Sequence, residues 1–118
     1  MAVLDERALG QLLELIGGDE GELRELIEIF LVESKEMLED MTASQKNHDL
    51  DLLRRSAHSL KSSSQDFGAI RLSELSASLE SNCKTQWPES ADKHVEEIQS
   101  QFELVSQALK SYLQAFRA

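Results

Sequence analysis

The chain holds three histidines, one cysteine and many serines, and the neighbours of each decide what chemistry it could support. A dinuclear carboxylate centre in a helical protein needs Glu-x-x-His pairs. The residues three before His48, His58 and His94 are Gln45, Arg55 and Ala91, so that reading fails. Cys83 has no second cysteine with which to form a disulfide or a metal-ligand spacing, and no metal site is expected. Gly17-Gly18-Asp19-Glu20-Gly21 lacks the spacing and the Lys-Ser/Thr of a phosphate-binding loop. No Gly-x-Ser-x-Gly elbow presents a nucleophilic serine. His48 falls at a helix boundary, and His94 opens a helix among Asp92, Lys93, Glu96 and Glu97; both read as solvated.

His58 is placed differently. Leu53, Ala57, Leu60, Ser64 and Phe67 form the inward stripe of a helix, and about 100° further round run Arg54, His58, Lys61 and Gln65. His58 therefore lies on the outer edge of a core stripe. Lys61 follows three residues on, and Arg54 and Arg55 lie one turn earlier. A neighbouring cation disfavours imidazolium and keeps the ring neutral and nucleophilic. Residues 49–71 set Arg54, Arg55, Lys61 and Arg71 against Asp49, Asp51 and Asp66, a slightly positive stretch in a chain of net charge −10. Such a setting suits a group that briefly carries a phosphoryl. Pattern alone leaves an ordinary exposed histidine open as the alternative.

The elements that position these residues are punctuated by glycine and proline. Leu4, Ala8, Leu12, Leu15 and Ile16 predict a short first helix closed by Gly17-Gly18. Asp19 and Glu22 form a capping-box pattern before a stripe of Leu23, Ile27, Phe30, Ser34, Met37 and Met41. That helix ends near Lys46-Asn47-His48, and Asn47 or Asp49 starts the third, which stops near Gly68. Leu72, Leu75 and Leu79 mark a fourth helix fraying toward Thr85-Gln86-Trp87. Pro88 fits the first position of a last helix with the stripe Val95, Ile98, Phe102, Val105, Leu109, Tyr112 and Phe116. No segment alternates with a period of two. The expected fold is all-α: an antiparallel four-helix bundle with a short extra N-terminal helix as a lid, forming one domain over residues 1–118. Ile29 and Val32 lie off the main stripe of the second helix. They read as core beneath the first helix, with apolar docking contact as the alternative.

Composition bounds the rest. At 118 residues there is room for one domain with a core that needs no staples. Aromatics are only 5%, so aliphatic side chains must fill that core. The acidic balance excludes nucleic acid and anionic membrane surfaces as partners. No apolar run approaches a membrane span, and the first residues do not form a signal peptide. A cytoplasmic location, a reducing compartment and a monomer are expected. Met1 and the compact length favour a stand-alone protein over a piece of a larger sensor.

The run Ala57-His58-Ser59-Leu60-Lys61-Ser62-Ser63-Ser64-Gln65-Asp66-Phe67-Gly68-Ala69 resembles the signature of histidine-containing phosphotransfer (HPt) domains, Ala-His-x-Leu-Lys-Gly followed by two small residues and an apolar-Gly pair. The family's four-helix architecture agrees with the helix reading. The resemblance implies that His58 is phosphorylated, in exchange with an aspartate of a receiver domain of a response regulator or hybrid histidine kinase. By position in the motif, Lys61 would steady the phosphoryl charge. Glu80, 22 residues after the histidine, stands where the family often has a Gln or Glu bonded to the ring's inner nitrogen; an ordinary solvated residue is the alternative. Ser62 replaces the family's usual Gly, so it could either donate to the phosphoryl or crowd the partner. Arg54, Arg55, Ser62 and Gln65 are the supporting or docking candidates.

The resemblance further implies a phosphotransfer module with no nucleotide site of its own, hence not an enzyme. It needs no cofactor in this chain, with Mg²⁺ held by the receiver partner. Docking would use the outer face of the third helix with parts of the first and second. The rival reading is a helical adaptor that binds a receiver or kinase without carrying phosphate.

Overall fold

The computed structural model describes residues 3–116, five α-helices with no strand among them. They are α1 (Glu6–Leu15), α2 (Glu20–Asn47), α3 (Leu50–Asp66), α4 (Ile70–Asn82) and α5 (Ala91–Gln114). Met1, on which the stand-alone expectation leans, lies outside the described residues. No helix is long and apolar enough to cross a membrane among the described residues.

Three helix starts are set by aspartate caps. Asp5, Asp19 and Asp49 accept hydrogen bonds from the backbone N–H of Arg7, Glu22 and Leu52, satisfying donors that the first turn leaves free. Asp49, rather than Asn47, starts α3, while His48 closes α2 in the left-handed region at φ 54°. The His48 ring stacks on Trp87 at 4.3 Å between centroids, pinning the α4–α5 connection to the end of α2. His94 is half-buried rather than fully solvated.

Helices α2 to α5 close into a bundle in which each packs on the next and α5 returns to α2. Gln45 donates to Asp92 at one end of the α2–α5 seam, and Arg24 donates to the Leu113 carbonyl at the other. The core is aliphatic, as the scarcity of aromatics required: Leu23, Ile27, Leu53, Leu60, Leu72, Leu79, Ile98 and Leu109 are fully buried around Phe102. Each such side chain contributes about 1.5–3 kcal/mol relative to exposure. Ser34 and Ser64 are buried with no hydrogen-bond partner for either hydroxyl among the described residues, so their contribution to packing is small size.

Several sequence expectations need correction. In α1 the buried residue is Leu9, whereas Leu15 is 82% exposed. This helix lies across α2 and α3 only, so it needs a narrower apolar stripe than a bundle helix. Ile29 and Val32 are not core beneath α1; they are 51% and 60% exposed on the glutamate-rich outer face of α2. Pro88 does not open α5, which begins three residues later at Ala91; its carbonyl accepts from the Ala91 N–H as part of the approach. Phe116 falls beyond the end of α5, edge-on to Tyr112, and Leu113 is the buried residue there.

Gly68 joins the lid to the bundle. It turns the chain from α3 to α4 at φ 77°, and its carbonyl accepts from the Asp5 N–H at 2.8 Å. A Cβ added here would collide with the Asp5 carbonyl oxygen. Gly68→Ala therefore combines left-handed backbone strain, about 1–3 kcal/mol, with displacement of α1. Thermal unfolding should show Tm lowered by several degrees, with α1 protected less from hydrogen exchange than in the parent.

Candidate functional site

His58 lies in the middle of α3, pointing along the seam with α4, its side chain 58% exposed. Its Nδ1 is 2.6 Å from Oε2 of Glu80, near the end of α4. The other carboxylate oxygen, Oε1, lies 2.7 Å from Nζ of Lys61. The Lys61 hydrogen bond foremost, and the His58 bond after it, hold the Glu80 carboxyl below its ordinary 4.5 against an opposing effect of partial burial. The carboxylate is therefore ionised at neutral pH and can only accept. Nδ1 must be the donor, so a neutral ring carries its lone pair on Nε2, the nitrogen away from Glu80.

The two helices also meet directly along this seam. Ser73 on α4 donates through Oγ to the Lys61 carbonyl at 2.9 Å, a direct tie from a one-carbon side chain to the facing backbone. Ser73 and Glu80 are two helical turns apart and share one face of α4. Ser76, between them, is buried and donates to its own helix at Leu72. Ala57 and Ser56 give α3 equally small buried residues near His58. The apolar pattern of α4 did not reveal Ser73. The available signal was its seven-residue spacing from Glu80 and its place beside Leu72 on the inward side.

The remaining candidates occupy the same helix without joining the triad. Arg54 and Arg55 both bind Asp51 one turn back, at 2.5 and 2.7 Å, and all three are exposed. Lys61 is paired with Glu80 rather than resting as a free cation beside the ring. Ser62 is exposed one turn after His58. Gln65, two turns from His58 on the same side, borders an open groove with Ala8, Leu12, Leu15, Leu26 and Phe67. Cys83 is buried at the end of α4, and burial pushes its thiol up, away from reactivity. Among the described residues no group of three or more His, Cys, Asp or Glu side chains could hold a metal.

Residues 25–118 match the Hpt domain family. The fold superposes on the crystal structure of histidine-containing phosphotransfer protein B (HptB) from Pseudomonas aeruginosa PAO1 with a TM-score of 0.89 and 30% sequence identity. The match covers 98% of this chain and 97% of that one. No curated protein sequence matches the chain.

Because the folded Glu80 carboxyl titrates below its ordinary value, its bonds contribute stability that is present above pH 4.5 and lost as pH falls through the folded value. Glu80→Gln removes that contribution. Paired melts should show the wild type above the variant in Tm at neutral pH. The gap should close on the acid limb below pH 4.5.

Proposed function

This chain belongs to the Hpt domain family, the phosphotransfer intermediates of phosphorelays, and we propose that His58 is the residue on which it carries the phosphoryl group. The observation that carries this reading is the Glu80–Nδ1 hydrogen bond on an exposed imidazole, which leaves Nε2 as the nucleophile. Hpt domains interact with receiver domains. The partner here is the receiver of a response regulator or of a hybrid histidine kinase, which brings its own aspartate and the Mg²⁺ bound beside it. The phosphoryl transfer itself needs positioning and charge neutralisation more than covalent help. The Nε2 lone pair attacks phosphorus in line, the aspartyl P–O bond breaks, and its electrons return to the aspartate carboxylate. The reverse step delivers the group onward.

Lys61 supplies the neutralising charge, one helical turn from the ring. Ser62, where the family usually has Gly, leaves a small hydroxyl beside the arriving group instead of open space. One monomer docks one receiver through the exposed edge of α3 and the groove bordered by Leu12, Leu15 and Gln65. Leu15, so exposed on the lid helix, is the apolar anchor of that contact.

Incubation with a panel of receivers charged by a small phosphodonor tests the reading. The wild type should acquire acid-labile, base-stable label, and His58→Gln should acquire none. Label persisting on the variant would place the phosphoryl elsewhere. Leu15→Asp should slow transfer from the matching receiver by about tenfold or more, the loss of roughly 1.4 kcal/mol of docking. Direct labelling by a small phosphodonor should be unchanged; equal slowing of both would remove Leu15 from the docking surface.

A further inference from the structure

Glu80 divides one negative charge between two partners. In the unphosphorylated protein, Oε1 accepts from the Lys61 ammonium at 2.7 Å and Oε2 from Nδ1–H of His58 at 2.6 Å. A phosphoryl group on Nε2 changes both partners at once. Nε2 gives its lone pair to phosphorus while Nδ1 keeps its proton, so the ring becomes a phosphoimidazolium cation. The phosphoryl oxygens meanwhile bring a strong anion within range of the flexible Lys61 stem.

We propose that phosphorylation exchanges these ion pairs: Lys61 leaves Glu80 for the phosphoryl oxygens, and Glu80 is left wholly to the Nδ1–H of the charged ring. The proposal rests on the reading of His58 as the phosphoacceptor. Its consequence is control of when the group can leave. When the P–N bond breaks in the protonated form, the electron pair returns to Nε2 and neutral imidazole departs. Without the Nδ1 proton the departing group would be an imidazolide anion, a far poorer leaving group. An undivided carboxylate beside Nδ1 favours the charged ring and so extends donor competence to higher pH. A neutral amide at the same position could accept the hydrogen bond but could not supply the charge.

The groups around Glu80 and Lys61 are otherwise neutral or engaged. The Cys83 thiol at the end of α4, which feels both Glu80 and Arg54, is pushed up by burial. On α3, Arg54 and Arg55 are held by Asp51 one turn away. On α4, Arg71 pairs with Glu74 toward the opposite end of that helix. From α1, Arg7 is engaged by Asp5 at the Gly68 end, and from α2, Arg24 is bound to Leu113 on α5. Lowering of the Glu80 carboxyl chiefly by Lys61 is consistent with a carboxylate that the ammonium now dominates.

The test charges wild type, Glu80→Gln and Lys61→Met with a small phosphodonor and follows phosphoryl loss and ring nitrogen shifts across the pH range. Circular dichroism checks that each variant is folded. In Glu80→Gln the midpoint for loss of the Nδ1 proton in the phosphorylated protein, and with it the pH–rate profile, should move down by about one pH unit or more. In Lys61→Met the Nδ1 shift of the unphosphorylated ring should move by more than that of the phosphorylated ring, because only the former shares Glu80 with the lysine. A Glu80→Gln profile coincident with wild type overturns the proposal, as does an equal movement of both states in Lys61→Met. Failure of wild-type His58 to take label would instead overturn its assignment as phosphoacceptor, a distinguishable result.

Discussion

Glu80 spans the seam between α4 and α3, holding Lys61 with one oxygen and His58 with the other, and both bonds depend on how closely the two helices approach. The close approach is built from small residues. Ser73 reaches the Lys61 carbonyl directly, and Ala57, Ser56 and Ser76 are small buried residues of the same two helices. A larger residue at Ser73 would break this tie between the two helices that carry His58 and Glu80. The role proposed for His58 is therefore coupled to packing that has no chemistry of its own.

The rest of the bundle holds that seam in register. The long α2 and α5 brace α3 and α4 from the other side and are tied to each other near both ends by Arg24 and Gln45. At the α3–α4 turn, Gly68 accepts from Asp5 and has no room for a Cβ, so the lid helix and the reversal between the two site-bearing helices are fixed together. This arrangement leaves His58 on a rigid helix beside an open face. A phosphoryl carrier needs that combination, because in-line transfer tolerates little misplacement of the nucleophile.

Much of this was legible in the sequence, for reasons that differ between residues. The long helices announced themselves through apolar spacing and aspartate caps, and the place of His58 beside the core stripe followed from helix geometry. Glu80 did not follow that way: no pattern within α4 marks it, and only the family spacing of 22 residues singled it out. Leu15, Ile29 and Val32 were misread, and Leu9 was missed, because periodicity shows that a helix is amphipathic without showing what covers each face. The lid covers only a limited part of α2 and α3, which leaves Leu15 and the outer residues of α2 exposed. Pro88 was misread because a proline in a helix approach and one at its first turn look alike in sequence. Ser73 was hidden for a related reason, since a serine on an inward face reads as filler until the facing carbonyl is known.

The most direct measurement is the position of phosphorus on the ring, read from nitrogen–phosphorus couplings in uniformly ¹⁵N-labelled protein after transfer from a receiver. The account predicts coupling to Nε2 of His58 with a proton retained on Nδ1, as the Glu80 hydrogen bond requires. Phosphorus on Nδ1, or on any other residue, would contradict it.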